Sequence, residues 1–422
     1  MADAPTLNSR SRPRPWLVAL ALIGIVALGL TARIAWHIAY PVDPWGDCEV
    51  YDDLALNLLD TGSYGLKGHD AERPPGWPGV LAALHWLCGE EADVAWFNIA
   101  ADTLTIVATF ALGAVAFGSL VGLAAALLVA IDLNHIALST LLCSEPLFAL
   151  LWLIAALAVA LGLRPDARTT FWMILAGVLM GLATLVRPTP LLLLPAVLLA
   201  AILFRRWLGV PRSRWFMFVG AFTVTLFPWT LRNWNIEGVL IPVAGTGAIN
   251  LYIGNNPTDY VVWMPHTDPL WAPFEGMNYA EVHREATKRA IHYAITHPLT
   301  TVLRWPAKLS TLLEPKIYFL TFYPKWGGPY HPTLTACHGL WAFTLVGLVA
   351  WACVAWLRRA GLELLAPASP AQRWLLFLAG IWILTHLILW GLPRFRHGLE
   401  PLLQIFASAG WGALLRAERV RS

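Results

Sequence analysis

The chain is built around repeated apolar runs of about 18 residues or more, long enough as helices to cross a hydrocarbon layer of about 30 Å. Inside such a layer every backbone N–H and C=O must find its partner within the segment, so runs of this kind fold as helices. Ten stretches are candidate spans, at about 16–40, 92–117, 118–133, 145–163, 170–186, 189–204, 213–231, 333–357, 372–391 and 399–415. Composition agrees. With 58% hydrophobic and 13% charged residues and a mean hydropathy of +0.59, 422 residues are too apolar for a soluble domain. The expected fold is an all-α integral membrane protein, one domain over 1–422, with about ten transmembrane helices. The basic residues form no stripe and no recognisable binding module, which excludes nucleic acid as a partner.

Basic residues set the orientation. Arg10, Arg12 and Arg14 precede the first run, which is too long for a signal-peptide core and reads as an uncleaved span. With the N-terminus inside, the inner connections collect Arg164, Arg168, Arg205, Arg206, Arg212, Arg214, Arg358, Arg359 and Arg373, and the tail adds Arg416, Arg419 and Arg421. The stretch His297 to Phe319 holds Arg304, Pro306 and Lys308 and is expected to lie in the interface rather than cross. Both termini then fall on the cytoplasmic side. The two long connections, 41–91 and 232–332, fall outside.

The first outer connection holds the densest run of carboxylates, Gly46 to Gly79. Tyr51, Leu54, Ala55 and Leu58 form a helical stripe with Asp47 just ahead of it. There Asp47 could cap the helix or point into a cleft. Gly62 and Gly65 end this helix, and Arg73-Pro74-Pro75-Gly76 bends the chain into a second amphipathic piece, Trp77 to Leu87. Two interfacial helices are expected, with Asp47 at the membrane surface and Asp52, Asp53 and Asp60 solvated.

The same topology brings other polar motifs to this side. They are Ser144-Glu145-Pro146, Arg187-Pro188-Thr189-Pro190, Arg232 in PWTLRNW, and the turn-rich segment with Asn250, Tyr252, Asn255 and Asn256. Arg394, Arg396 and His397 in PRFRHGLEP complete the set. Each has a structural alternative. Glu145 suits the positive end of a helix, Arg187 and Arg232 can snorkel, and the last basic trio can anchor headgroups. Tyr279 to His297 has helical spacing with a solvated face. Asp102, an intramembrane acid, is expected to make a helix–helix hydrogen bond.

The motifs Gly46-Asp47, Tyr51, Leu54-Ala55, Asn57-Leu58, Gly62 and Arg73-Pro74-Pro75-Gly76-Trp77-Pro78 resemble the first extracytoplasmic loop of GT-C glycosyltransferases. The likeness is to the bacterial branch related to protein O-mannosyltransferases and lipid A aminoarabinose transferases. It implies a GT-C multi-span bundle in a bacterial inner membrane, with a polyprenyl-phosphate-linked sugar as donor and a lipid, glycan or protein as acceptor. By the same resemblance Asp47 is the catalytic carboxylate and Glu145 supports it. Arg394, Arg396, His397, Arg187 and Arg232 bind the lipid phosphate. Glu49, Tyr51, Arg73, Asn250, Tyr252, Asn255 and Asn256 contact substrate, the asparagines at the cavity mouth. Where many members carry Asp-Glu, this chain reads Asp47-Cys48-Glu49.

No HExxH or paired CxxC marks a metal site, yet a divalent cation bridging Asp47, Glu145 or a histidine with the lipid phosphate stays open. Cys48 and Cys88 bracket the first outer loop and could pair, with buried free thiols as the default expectation. The competing reading is a transporter or flippase of a lipid-linked saccharide, which calls for ionisable groups within the membrane and interrupted helices.

Overall fold

The computed structural model describes residues 14–41, 46–66, 70–90, 93–164, 168–203, 211–258, 269–315, 332–359 and 369–421. Arg10, Arg12, Arg205, Arg206 and the end of the His297–Phe319 stretch lie outside these residues. The described residues are helical and contain no strand: α1 (Pro15–Ala39), α2 (Asp47–Thr61), α3 (Gly76–Cys88), α4 (Ala95–Phe117), α5 (Ser119–Ala130), α6 (Leu133–Ser139), α7 (Glu145–Gly162), α8 (Thr169–Val186), α9 (Leu193–Leu203), α10 (Arg212–Glu237), α11 (Thr246–Gly254), α12 (Tyr279–Thr296), α13 (Pro298–Leu303), α14 (Trp305–Leu312), α15 (Pro332–Arg359), α16 (Pro370–Ile388) and α17 (Glu400–Arg421).

Helices occupy each of the ten apolar stretches. Among the described residues α1, α4, α7, α8 and α16 are long and apolar enough to cross a membrane, and α5 with α6 make a sixth if a pair bent by 58° counts as one span. That bend departs from the straight span expected over 118–133. Its cause is local: Asp132 interrupts the apolar run and caps α6, accepting from the Asn134 backbone N–H at 2.9 Å. In the bundle α4 packs on α7, α7 on α8 and α8 on α10, while α17 lies between α5 and α15. Aromatic rings fill the centre. Trp152, Phe148 and Trp382 meet between α7 and α16, and Trp215, Phe218 and Trp374 between α10 and α16. Trp374 also donates its indole N–H to the Ala156 carbonyl at 3.2 Å, satisfying its polar atom in the core.

Two helices, α2 and α3, form where the spacing over Gly46–Gly79 and Trp77–Leu87 places them. Helix α2 ends at Gly62, whose left-handed φ of 68° favours a residue without Cβ. Asp52, expected to be solvated, instead pairs with His85 at 2.8 Å and staples α2 to α3. Gly76 opens α3 so close to Leu185 and Val186 that a Cβ would sit 2.8 Å from their backbone. That contact seats the Arg73 bend against the end of α8.

Two expectations in the second long connection are corrected. Asn250 and Tyr252 do not lie in an open turn: Thr246–Gly254 is helical, and Asn255 is its C-cap. The single interfacial helix expected over 297–319 is two short pieces, α13 and α14, each with a proline in its first turn. Helix α12 forms where periodicity placed it and begins with a capping box of Asn278 and Glu281.

Candidate active site

Gly46, at φ 59°, turns the chain into α2, so Asp47 is the first helical residue and makes no capping bond. Its carboxylate is therefore free for side chains. Asp47 Oδ2 accepts from Arg394 Nη1 at 2.7 Å, and Oδ1 lies 3.0 Å from Arg73 Nη1. Arg394 Nε donates to Glu145 Oε1, which also pairs with Arg187 Nη1 at 2.9 Å. Arg187 Nη1 donates to Ser144 Oγ at 3.0 Å. Five charged residues from five segments thus form one chain, Arg73–Asp47–Arg394–Glu145–Arg187. Its two acids differ sharply in exposure, 2% for the Glu145 side chain against 33% for Asp47. Asp47 is the acid a substrate can reach.

Local sequence explains each placement. Proline after Arg187 forces that residue out of the helix into an extended conformation, turning it off the end of α8. Glu145 opens α7 with Pro146 behind it, where a negative charge meets the positive helix end. The Arg73 bend is held by Tyr64, whose hydroxyl donates toward the carbonyls of Arg73 at 3.1 Å and Pro74 at 3.0 Å.

A disulfide aligns the two acids. Cys48 is bonded to Cys143, their Cα atoms 5.3 Å apart across 95 residues of sequence. This corrects both cysteine expectations: Cys48 is not a free thiol, and Cys88, its expected partner, is free and exposed. The bond fixes the first turn of α2 beside the Ser144-Glu145 turn.

Electrostatics follow from the geometry. Burial pushes the Asp47 carboxyl up, but Arg394 and Arg73 more than offset it and hold its pKa at about 2. Burial likewise works against the charge on Arg394, yet Glu145 and Asp47 raise its pKa above the usual arginine range. At neutral pH Asp47 and Arg394 are both ionised.

Several expected site residues lie elsewhere. Glu49 is exposed and contributes nothing to the cluster. Tyr51 is buried beneath it, near enough to Arg73 and Arg394 to act on both electrostatically. Arg232 straps the first loop to α10, donating to Asp70 O at 2.8 Å and stacking 4.5 Å over the Trp229 ring. Asn250 accepts from Trp390 Nε1 at 3.0 Å, and Tyr252 packs in a small core with Phe274 and Ala286. Asn255 and Asn256 are not at a cavity mouth. Buried, they donate to the Ile388 carbonyl at 2.7 Å and the Ile253 carbonyl at 2.7 Å.

Arg396 and His397 are corrected most. Arg396 is buried, paired with Glu400, donating to the Glu314 carbonyl and lying 4.8 Å over Trp341. His397 belongs to a second, fully buried cluster, with its Nε2 3.5 Å from Asp102 Oδ1. There Asp102 Oδ1 also meets His135 Nδ1 at 2.8 Å, and Asp102 Oδ2 meets Arg33 Nη2 at 2.6 Å. Asp102 thus makes the cross-helix hydrogen bond expected of it. Arg33 and His135 were missed, although a lone arginine inside the first apolar run is a legible signal. A divalent cation at Asp47 and Glu145 does not suit the arrangement, because arginines already occupy the oxygens it would need.

Residues 72–231 match the family described as dolichyl-phosphate-mannose-protein mannosyltransferase. No curated protein matches the chain. Among solved structures, the archaeal oligosaccharyltransferase AglB from Archaeoglobus fulgidus, in complex with an inhibitory peptide and a dolichol-phosphate, superposes with a TM-score of 0.57 at 16% identity over 96% of this chain and 52% of that one. The apo form of the Archaeoglobus fulgidus oligosaccharyltransferase gives 0.58 at 15% identity, again over 96% and 52%. ArnT from Cupriavidus metallidurans bound to undecaprenyl phosphate gives 0.43 at 14% identity over 94% and 77%. The chain spans about half the length of the archaeal proteins it matches.

Proposed function

We propose that this chain, whose fold is that of the GT-C glycosyltransferases, is an inverting glycosyltransferase. It moves a sugar from a polyprenyl-phosphate donor to an acceptor hydroxyl on the extracytoplasmic face of a bacterial inner membrane, with both termini cytoplasmic. The observation that carries the reading is Asp47, the most open acid of a five-residue charged chain, flanked by Arg394 and Arg73. An archaeal protein of the same fold is described in complex with dolichol-phosphate, a lipid phosphate of the same chemical class.

The chemistry follows from those residues. The acceptor oxygen attacks the anomeric carbon, the bond from that carbon to the phosphate oxygen breaks, and the hydroxyl proton passes to the Asp47 carboxylate. Attack opposite the leaving group inverts the anomeric centre. The phosphate leaves as an anion and needs cations rather than an acid, which Arg394, Arg73 and Arg187 supply. In the resting arrangement two guanidinium groups make Asp47 a poor base at a pKa of about 2. A donor phosphate that draws them off restores its basicity, so the base is readied when the sugar is in place. General-base assistance is worth ~10²–10⁴ in rate.

The test is Asp47→Asn with a radiolabelled sugar on polyprenyl phosphate. Transfer should fall by about 100-fold or more while donor binding is kept; near-normal turnover would remove Asp47 from the mechanism. One pair of features favours the transporter reading: Arg33–Asp102 buried between α1 and α4, and the bend between α5 and α6. Reconstituted vesicles separate the two. A transporter moves the intact lipid-linked sugar across the bilayer without consuming it.

A further inference from the structure

The cluster beneath the Arg394 turn contains an unsolved cost. His397 is 1% exposed, and neither of its ring nitrogens has a hydrogen-bond partner among the described residues. An unpaired buried imidazole is expensive. Its Nε2 nevertheless points at a carboxylate oxygen, Asp102 Oδ1, 3.5 Å away, and the same oxygen faces His135 Nδ1 at 2.8 Å. The two imidazoles lie with ring centroids 3.9 Å apart. One oxygen and two nitrogens, one from each of the three residues, all lie within 4.8 Å of one another.

The Asp102–His397 spacing of 3.5 Å suits a tetrahedral ion, and the 2.8 Å Asp102–His135 hydrogen bond would open by about 0.5 Å to admit one. With metal–ligand distances of about 2.0–2.1 Å, ligand atoms at tetrahedral corners lie about 3.3 Å apart. His135 and Asp102 carry outer partners of the kind metal ligands require. His135 Nε2 is 3.5 Å from Glu400 Oε2, and that oxygen is fixed by Asn134 Nδ2 at 2.9 Å. Arg33 binds the other oxygen of Asp102, Oδ2, leaving Oδ1 toward the histidines. Two imidazoles and one carboxylate favour a late first-row divalent ion over Ca²⁺ or Mg²⁺.

We propose that Asp102, His135 and His397 form a buried zinc-class divalent site that clasps the Arg394-bearing turn to α4 and α6. The ion would be structural, and its site is separate from the Asp47–Glu145 pair. The proposal does not depend on the glycosyltransferase reading.

The experiment is metal analysis of the full-length protein in detergent, after exchange against Zn²⁺ and removal of excess ion, with Co²⁺ substitution as the spectroscopic probe. Near one equivalent is expected in wild type and in Asp47→Asn, and well under half an equivalent in Asp102→Asn, His135→Gln and His397→Gln. Co²⁺-loaded wild type should show the visible bands of a four-coordinate N/O site, which keeps the test valid if the buried variants fail to fold. Glu400→Gln should retain the ion with about 10–100-fold weaker affinity, the usual effect of an outer partner. Wild type free of metal after loading, or an equivalent lost in Asp47→Asn and kept in the three ligand variants, would overturn the site.

Discussion

The guanidinium of Arg394 joins Asp47 to Glu145, binding Asp47 Oδ2 at 2.7 Å and the Glu145 carboxylate through Nε, although 347 positions separate Arg394 from Asp47. Arg396, two residues on, pairs with Glu400 inside the bundle. Substitutions at these neighbours should therefore fail in different ways. Arg394→Gln should fold and bind the polyprenyl-phosphate donor about 10–100-fold more weakly, as loss of a charge-assisted hydrogen bond implies. Arg394→Lys should recover part of this, keeping charge without the planar fork. Arg396→Gln should cost about 3–5 kcal/mol of stability, because buried Glu400 loses its guanidinium partner, with donor affinity intact in the folded fraction. Thermal unfolding and equilibrium donor binding on the same preparations check both.

The Asp47 carboxyl gives a pH signature. Its folded pKa of about 2 lies below the unfolded value near 4. A depressed carboxyl stabilises the fold above its unfolded pKa and loses that contribution as pH falls through the folded one. The stability advantage of wild type over Asp47→Asn should then be constant above about pH 4 and disappear between about pH 4 and 2, and kcat/KM should show no acidic limb from Asp47 between about pH 8 and 4. Arg73→Ala removes one guanidinium and should move that limb upward. A wild-type limb near pH 6 would place Arg394 away from Asp47 in the free enzyme.

The Cys48–Cys143 bond closes a loop of 95 residues. Cys48→Ser with Cys143→Ser should lower stability by about 2–5 kcal/mol. Transfer should suffer beyond that, since the bond aligns Asp47 with Glu145. Peptide mapping under non-reducing conditions should find this pair and leave Cys88 alkylatable. A Cys48–Cys88 linkage would contradict the arrangement.

Orientation is checked by labelling. In a background with Cys88→Ser, Thr61→Cys should react with an impermeant thiol reagent from the periplasmic side and Ser213→Cys should not; both positions are exposed. Asn256 is buried and unsuited as a probe. Reaction at 213 from outside would reverse the topology.

Much of the architecture is legible in the residues. The apolar stretches are helices, the fold is similar to that of an archaeal oligosaccharyltransferase, and α2, α3 and α12 form where their periodicity puts them. Of the residues expected at the site, Asp47, Arg73, Glu145, Arg187 and Arg394 meet. Glu49 does not, because two residues on an α-helix are about 200° apart and the inserted Cys48 turns the second acid from the first. Arg394 and Arg396 part for a similar reason: they share a 3₁₀ turn, Pro393–Arg396, where two residues are about 240° apart.

What the sequence alone determined rests on properties of consecutive residues. Backbone pairing within an apolar run and the side to which basic residues are drawn do not depend on distant neighbours. Partner choice among charges and thiols does. Coulomb attraction and disulfide formation depend on distances through space, and those were decided when α2, α7, α8 and the Arg394 turn met at one end of the bundle. Only that packing put Cys48 against Cys143, Arg394 between two acids, and two histidines on Asp102.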